Sequence, residues 1–218
     1  LIDTFLEAVG PEGNLLMVSL PYRSSTLDYL TKLKQFDVRK TPSAMGLVSE
    51  FYRRRPNVLR SLHPSHPVLV CGPRAPWFIE GHENSLYPCG PGTPFAKLAE
   101  ARGKVAFFNV SFAYFTFFHH LEHLVRAHLP FELYHDPPFE VPVIDREGRR
   151  IMVKTLAYSR EALRRRRFEV LETWLWKAGL IRKGRIGASS LLLVELDDVM
   201  RAVEDMTRQG VFFYDLER

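Results

Sequence analysis

The sequence predicts an α/β fold, a three-layer α/β/α arrangement built around a mixed sheet, and three observations predict it. Apolar runs of strand length alternate with segments of helical spacing along most of the chain. Two further extended runs flank Asp145-Arg146-Glu147-Gly148, a hairpin signal that adds antiparallel pairing to the sheet. The 218 residues are 46% hydrophobic, with 16 Phe, 8 Tyr and 3 Trp, enough apolar surface to offset ordering entropy by burial. A single domain over residues 1–218 is therefore expected.

Taken in order, Ile2, Phe5, Leu6 and Val9 share one face of a helix that Gly10-Pro11 closes. The chain opens at Leu1 without Met inside this pattern, so it reads as lacking an N-terminal segment. Asn14 to Leu20 is a buried strand, Tyr22 to Lys40 a polar stretch without a clean period, and Thr41-Pro42 the cap and first turn of a helix through Phe51. Val68 to Cys71 is a strand, Trp77 to Ile79 a short helix, and Tyr87 to Pro94 a Gly/Pro loop feeding a helix capped by Thr93. Lys104 to Val110 is a strand, and helical spacing runs from about Phe115 through His128. The hairpin strands are Phe139 to Ile144 and Arg150 to Leu156. Ser159 then caps a long helix to about Ala178, Ser190 to Leu196 is a strand, and Asp197 to Gln209 is a helix.

Charge and composition narrow the function classes. A formal charge of +5 favours an anionic partner without choosing between a phosphorylated cofactor and nucleic acid. The run Arg164 to Arg167 is flanked by Glu161, Glu169 and Glu172 at helical spacings and reads as a solvated helix face, not a nucleic-acid motif. No stretch approaches the ~18 uninterrupted apolar residues of a membrane span, and within the sequence no charged n-region leads into an apolar h-region. The two cysteines, Cys71 and Cys89, lack disulfide or metal-ligand spacing, which suits a reducing, cytoplasmic setting. Cys71 reads as a strand residue, and nothing near Cys89 in sequence activates it as a nucleophile.

Chemistry concentrates in two histidine-bearing segments, Arg60 to Pro67 and Thr116 to His123. The second opens a helix directly after a strand, where ligands gather in open α/β sheets. On that helix His119 and Glu122 are one turn apart, so the carboxylate can orient the imidazole or stabilise its charged form. His119-x-x-Glu122-His123 also satisfies an inverted zinc-peptidase pattern, although a third ligand is not identifiable.

Across nearly the whole chain the sequence resembles the aminoglycoside 3-N-acetyltransferase family, also called the antibiotic N-acetyltransferase family. The matching pieces include Thr41-Pro42-Ser43-Ala44-Met45-Gly46, Arg60-Ser61-Leu62-His63-Pro64-Ser65-His66, Gly72-Pro73-Arg74-Ala75, Gly81-His82-Glu83 and Gly90-Pro91-Gly92-Thr93-Pro94-Phe95. Leu98-Ala99-Glu100, Gly103-Lys104-Val105, Thr116 with His119-His120 and Glu122, Ala178-Gly179-Leu180 and Gly184 to Ala188 complete the set. The resemblance implies transfer of an acetyl group from acetyl-CoA to an amino group of an aminoglycoside, aminosugar or other small-molecule amine, with His119 as catalytic histidine, Glu122 beside it and no metal. It implies that Arg60, Ser61, His63 and His66 line the same cleft and, with Thr116, hold acetyl-CoA. A homodimer is admitted; a nucleic-acid or membrane partner is not expected. Where resistance enzymes of this family carry Asp-Ser-Asn-Thr, this chain has Ala113-Tyr114-Phe115-Thr116, which points to a less cationic aminosugar, an aromatic amine or another small amine. That change also admits a non-catalytic acyl-CoA-binding homologue.

Overall fold

The computed structural model describes residues 1–217; Arg218, the last residue of the expected domain, lies outside the described residues. In chain order the first elements are α1 (Ile2–Val9), β1 (Leu15–Val18), α2 (Thr26–Lys32), β2 (Phe36–Asp37), α3 (Leu47–Arg53), β3 (Leu59–Arg60), β4 (Val68–Cys71) and α4 (Ala75–Ile79). They are followed by α5 (Pro94–Glu100), β5 (Lys104–Phe108), α6 (Phe118–Val125), β6 (Tyr134–Ile144) and β7 (Arg150–Tyr158). The last are α7 (Arg160–Arg165), α8 (Phe168–Lys177), β8 (Arg182–Ile186), β9 (Ser189–Glu195) and α9 (Leu196–Arg208). The chain is thus α/β with mixed strand pairing. Its strands are shared among three three-stranded sheets, where the sequence suggests one. The contacts gather into two units, Leu1–Pro94 with Tyr134–Tyr158, and Phe95–Leu133 with Ser159–Arg218.

In the first unit, β4 is the centre of an antiparallel sheet flanked by β1 and β3. All four of its residues are buried, which is why Val68-Leu69-Val70-Cys71 reads as an unbroken apolar run. Ile2 of α1, Tyr52 of α3, Val58, Leu69 and Cys71 close a cluster around it. The second sheet carries the mixed pairing: β2 runs parallel to β6, and β6 antiparallel to β7. Its hairpin turn is the expected one, closed by the Gly148 amide on the Asp145 carbonyl at 3.2 Å. Gly148 sits at φ 86°, a conformation that disfavours any side chain.

Two expectations fail in this unit for local reasons. The polar stretch Tyr22 to Lys40 contains α2 and β2. Ser25 caps α2 by accepting the Asp28 amide at 3.0 Å, and Leu27 and Leu30 pack on Val141, Val143 and Val153. The helix expected from Thr41-Pro42 begins only after Gly46, whose φ of 107° turns the chain into α3. Thr41 instead closes the turn after β2, its hydroxyl accepting the Asp37 amide at 2.9 Å.

In the second unit β9 is the centre of an antiparallel sheet flanked by β5 and β8. Phe107, Phe112 and Phe115 form one aromatic group, while Phe118 packs in tilted contacts against Phe168 and Phe213 at 4.0 and 4.8 Å between ring centres. Ser159 caps α7 as expected, through the Ala162 amide. The long helix, however, breaks at Arg166, which turns extended (φ −64°, ψ 131°) and bridges to Tyr214. The adjacent Arg167 amide donates to the Phe213 carbonyl at 2.9 Å. This break decides where one arginine of the basic run points.

Candidate functional site

Tight turns around residues 112–118 deliver the chain into α6, and two of them are closed by the Phe118 amide on Phe115 and the His119 amide on Thr116. α6 has no side-chain cap at Phe117, so its first turn rests on packing: Phe117 and Phe118, the two residues before His119, are both buried. The side chain of His119 retains 17% exposure. One turn along, Glu122 has none. His119 Nδ1 lies 2.7 Å from Glu122 Oε2, the pairing that the i, i+3 spacing predicts.

Glu122 is the centre of a larger network. Arg166 engages it with two nitrogens, Nε to Oε1 at 2.6 Å and Nη2 to Oε2 at 3.1 Å, and the Tyr214 hydroxyl also donates to Oε1. Each carboxylate oxygen therefore accepts two donors, the full capacity of an ionised carboxylate. Burial alone would raise the pKa of Glu122. Arg166, His119 and Tyr214 outweigh it and hold the carboxyl below its usual range. Burial, then the charge of Glu122, pushes Tyr214 upward, so its hydroxyl stays a donor. For His119, burial dominates and lowers the pKa below the ordinary histidine value, with Glu122 opposing and Arg166 reinforcing. The imidazole is neutral near pH 7, its proton on Nδ1 facing the carboxylate and its lone pair on Nε2.

Sequence reasoning missed Arg166 and Tyr214. Arg166 is only 12% exposed in its side chain, so the reading of the arginine run as a solvated face is corrected for this member, whereas Arg164 and Arg167 are exposed. The signal was present in Arg166-Arg167-Phe168, a point where helical spacing of the apolar positions slips.

The neighbours on α6 have other surroundings. His120 packs on the ring of Phe117 at 5.2 Å, and His123 is buried, its pKa lowered to about 4 by burial and by Arg126 and His120. Among the described residues no group of three or more His, Cys, Asp or Glu side chains is arranged to hold a metal ion. The Glu122 of the zinc-peptidase pattern already spends both oxygens on His119, Arg166 and Tyr214. Thr116 is half-buried, with its hydroxyl 3.4 Å from the Tyr114 carbonyl. In the altered Ala113 to Thr116 stretch, Phe115 is buried and Tyr114 is 70% exposed.

The other histidine segment lies in the first unit and is buried except at Leu62, which is partly buried. Arg60 donates to the backbone carbonyls of Thr41 at 2.6 Å and Ser19 at 2.8 Å. His63 and His82 stack at 4.5 Å between ring centres. Their tautomers follow from their partners, because a carbonyl can only accept and an amide can only donate. His82 Nε2–H donates to the Pro88 carbonyl at 3.0 Å, leaving Nδ1 to accept the Ser61 hydroxyl at 2.9 Å. His63 Nδ1 accepts the His66 amide at 3.2 Å, so Nε2–H faces Thr155 Oγ1 at 3.0 Å. The Ser65 hydroxyl lies 2.9 Å from His66 Nδ1. Burial and the neighbouring His82 and His66 drive the His63 pKa well below the ordinary value. Cys71 and Cys89 are free thiols, both buried.

The family model described as aminoglycoside 3-N-acetyltransferase matches residues 1–208. Aminoglycoside N(3)-acetyltransferase IV from Salmonella sp is 29% identical over 219 residues, covering 98% of this chain and 75% of the relative. The crystal structure of aminoglycoside acetyltransferase AAC(3)-Xa superposes with a TM-score of 0.79 at 24% identity, covering 96% of this chain and 80% of that one. AAC-IIIb, solved as a binary complex with CoASH, superposes with a TM-score of 0.72 at 23% identity over 94% of this chain and 81% of that one.

Proposed function

Because the chain belongs to the aminoglycoside 3-N-acetyltransferase family, a class of acyltransferases that use acetyl-CoA as co-substrate, we propose that it acetylates a small-molecule amine with His119 as general base. The carrying observation is the 2.7 Å contact between His119 Nδ1 and a Glu122 carboxylate that Arg166 and Tyr214 keep ionised. With its proton fixed on Nδ1, the imidazole presents the Nε2 lone pair to an incoming ammonium or amine. The amine nitrogen attacks the thioester carbonyl while Nε2 takes its proton, and Glu122 stabilises the imidazolium that forms. Collapse of the tetrahedral adduct breaks the carbon–sulfur bond, and the imidazolium returns the proton to the CoA thiolate.

A histidine of lowered pKa stays in its basic form at neutral pH, at some cost in basicity, and Glu122 offsets that cost as charge develops. Among the residues assigned to acetyl-CoA by resemblance, Thr116 keeps a partly exposed side chain. Arg60, Ser61, His63 and His66 are buried, and we read Ser61, His63 and His66 as shaping their segment for the donor and not as touching it. The acceptor is read as less cationic than an aminoglycoside. Tyr114 is exposed where a polycation needs a carboxylate, and the nearest acid in sequence, Glu122, is already neutralised by Arg166. Among the described residues no helix is long and apolar enough to cross a membrane. We extend the reading to the α/β/α layering, supported by the likeness to AAC(3)-Xa.

The test is acetyl transfer from acetyl-CoA to a panel of aminoglycosides, simple aminosugars and arylamines, read as free thiol release. Turnover with at least one amine is expected, and His119→Ala should reduce kcat by ~10²-fold or more, the usual share of a general base. Acetyl-CoA binding without turnover across the panel would favour a non-catalytic homologue, and near-normal turnover by His119→Ala would remove the histidine from the mechanism.

A further inference from the structure

One cavity of the first unit, about 390 Å³ in volume, is lined by five arginines: Arg39, Arg53, Arg54, Arg60 and Arg146. They come from four stretches of chain: the turn after β2, the end of α3, strand β3 and the β6–β7 turn. Guanidinium groups repel one another, and a concave, partly desolvated surface strengthens that repulsion. Such a set is stable when anions are interleaved with it.

The protein supplies few. Glu50 accepts from Arg53 at 2.7 Å and Arg54 at 2.9 Å, and among the described residues no other carboxylate bonds to the five. Arg146 donates one nitrogen to the neutral Val58 carbonyl at 2.7 Å, and the exposed Arg39 guanidinium has no side-chain hydrogen-bond partner among the described residues. Arg60 is only 5% exposed, and all the oxygens it reaches are backbone carbonyls. Its buried Nε has no hydrogen-bond partner among the described residues. Burial and the nearby charge of Arg53 pull the Arg60 pKa down to about 9, a sign of positive charge held without sufficient compensation.

We infer that this cavity is a binding site for a phosphoryl group. A carboxylate offers two oxygens in one plane and would satisfy one guanidinium fork. A phosphate or diphosphate offers three or more oxygens around a tetrahedral centre, enough for forks arriving from several sides, and carries the higher charge. The cavity lies within the ~300–1,000 Å³ range of small-molecule sites, larger than a lone phosphate needs, so a diphosphate or a phosphorylated small molecule fits best. The group can come from the phosphates of the acetyl-CoA donor or from a separate phosphorylated ligand, and the chemistry of recognition is the same for both.

Calorimetric titration of the full chain with sodium pyrophosphate at low ionic strength tests the inference. Saturable binding is expected, weakened at least ~10-fold in Arg39→Ala/Arg146→Ala, with the lysine pair intermediate because lysine keeps the charge and loses the fork. Both residues are surface-exposed, and an unchanged thermal unfolding midpoint shows that the variant is folded. Displacement of pyrophosphate by CoA but not by pantetheine assigns the group to the donor. Displacement by neither assigns it to a separate ligand. Absence of saturable pyrophosphate binding to the wild type, or binding equally tight in the Arg39→Ala/Arg146→Ala variant, overturns the site.

Discussion

The two histidine clusters put the same side chain to opposite uses. In the first unit, His63 and His82 stack face to face with exposure near zero, and hydroxyls, an amide and a carbonyl bond to their rings. In the second, His119 keeps part of its edge exposed and rests on a carboxylate that is itself held by a guanidinium and a phenol. Neutral partners fix one tautomer and resist any charge, which makes a rigid strut. A carboxylate partner fixes the tautomer and also supports the charged form, as proton transfer requires. The partner, more than the histidine, separates structure from chemistry.

The contrast can be broken most forcefully at Arg166. Replacing it by Met leaves the buried Glu122 charge without its guanidinium, and removing one partner of a buried ion pair costs about 3–5 kcal/mol. Urea unfolding should show that loss, and turnover should fall as well, because a protonated Glu122 no longer supports the imidazolium. Equal stability of Arg166→Met and wild type would mean that the pair is not buried as described.

A smaller effect is expected in the first unit. Thr155→Ala removes the hydroxyl facing His63 Nε2 and strands a buried donor, at a cost of about 1–3 kcal/mol. Here kcat should stay within about twofold of wild type, since the strut is not part of the proton path. A fall in kcat comparable with that of His119→Ala would erase the distinction between the clusters.

Acid should expose what both clusters share. His63, His119 and His123 all have pKa values lowered by burial, the last to about 4. In the unfolded chain they take up protons near pH 6.5, so the unfolded state binds more protons just below that value. Their stabilising contribution is therefore complete above about pH 6.5 and is lost as pH falls toward 4. Below the ordinary glutamate pKa, Glu122 adds to the loss, because its folded carboxyl is held low. Urea midpoints measured from pH 7.5 to 5 should decline; a flat profile would contradict the buried, neutral state of these rings.

Much of this arrangement is legible in the sequence, and the remainder is hidden for identifiable reasons. The strands Val68 to Cys71 and Lys104 to Phe108, the hairpin around Gly148 and the Ser159 cap follow from local pattern. So does the His119–Glu122 contact, fixed by helix geometry alone. Helix α2 was missed although Ser25 and Asp28 spell its cap, because its apolar face is short and set among charges. Strand β8 was missed because Arg182-Lys183-Gly184-Arg185 is largely exposed and carries no apolar alternation. Arg166 and Tyr214 could not be found by spacing, since they stand 44 and 92 residues from the carboxylate they hold. Long-range partners of a buried charge are set by packing, and packing leaves little trace in a local window.

The central claim, that a carboxylate-anchored His119 accepts the amine proton, is tested most directly by the pH dependence of kcat/KM for wild type and Glu122→Gln. Wild type should lose activity on an acidic limb centred below 6.5, the side to which burial moves His119. In Glu122→Gln the negative charge that raises the His119 pKa is gone, so the limb should move further toward acid while the plateau falls. A limb that stays in place when Glu122 loses its charge would show that the titrating base is another group, and the assignment of His119 would be wrong.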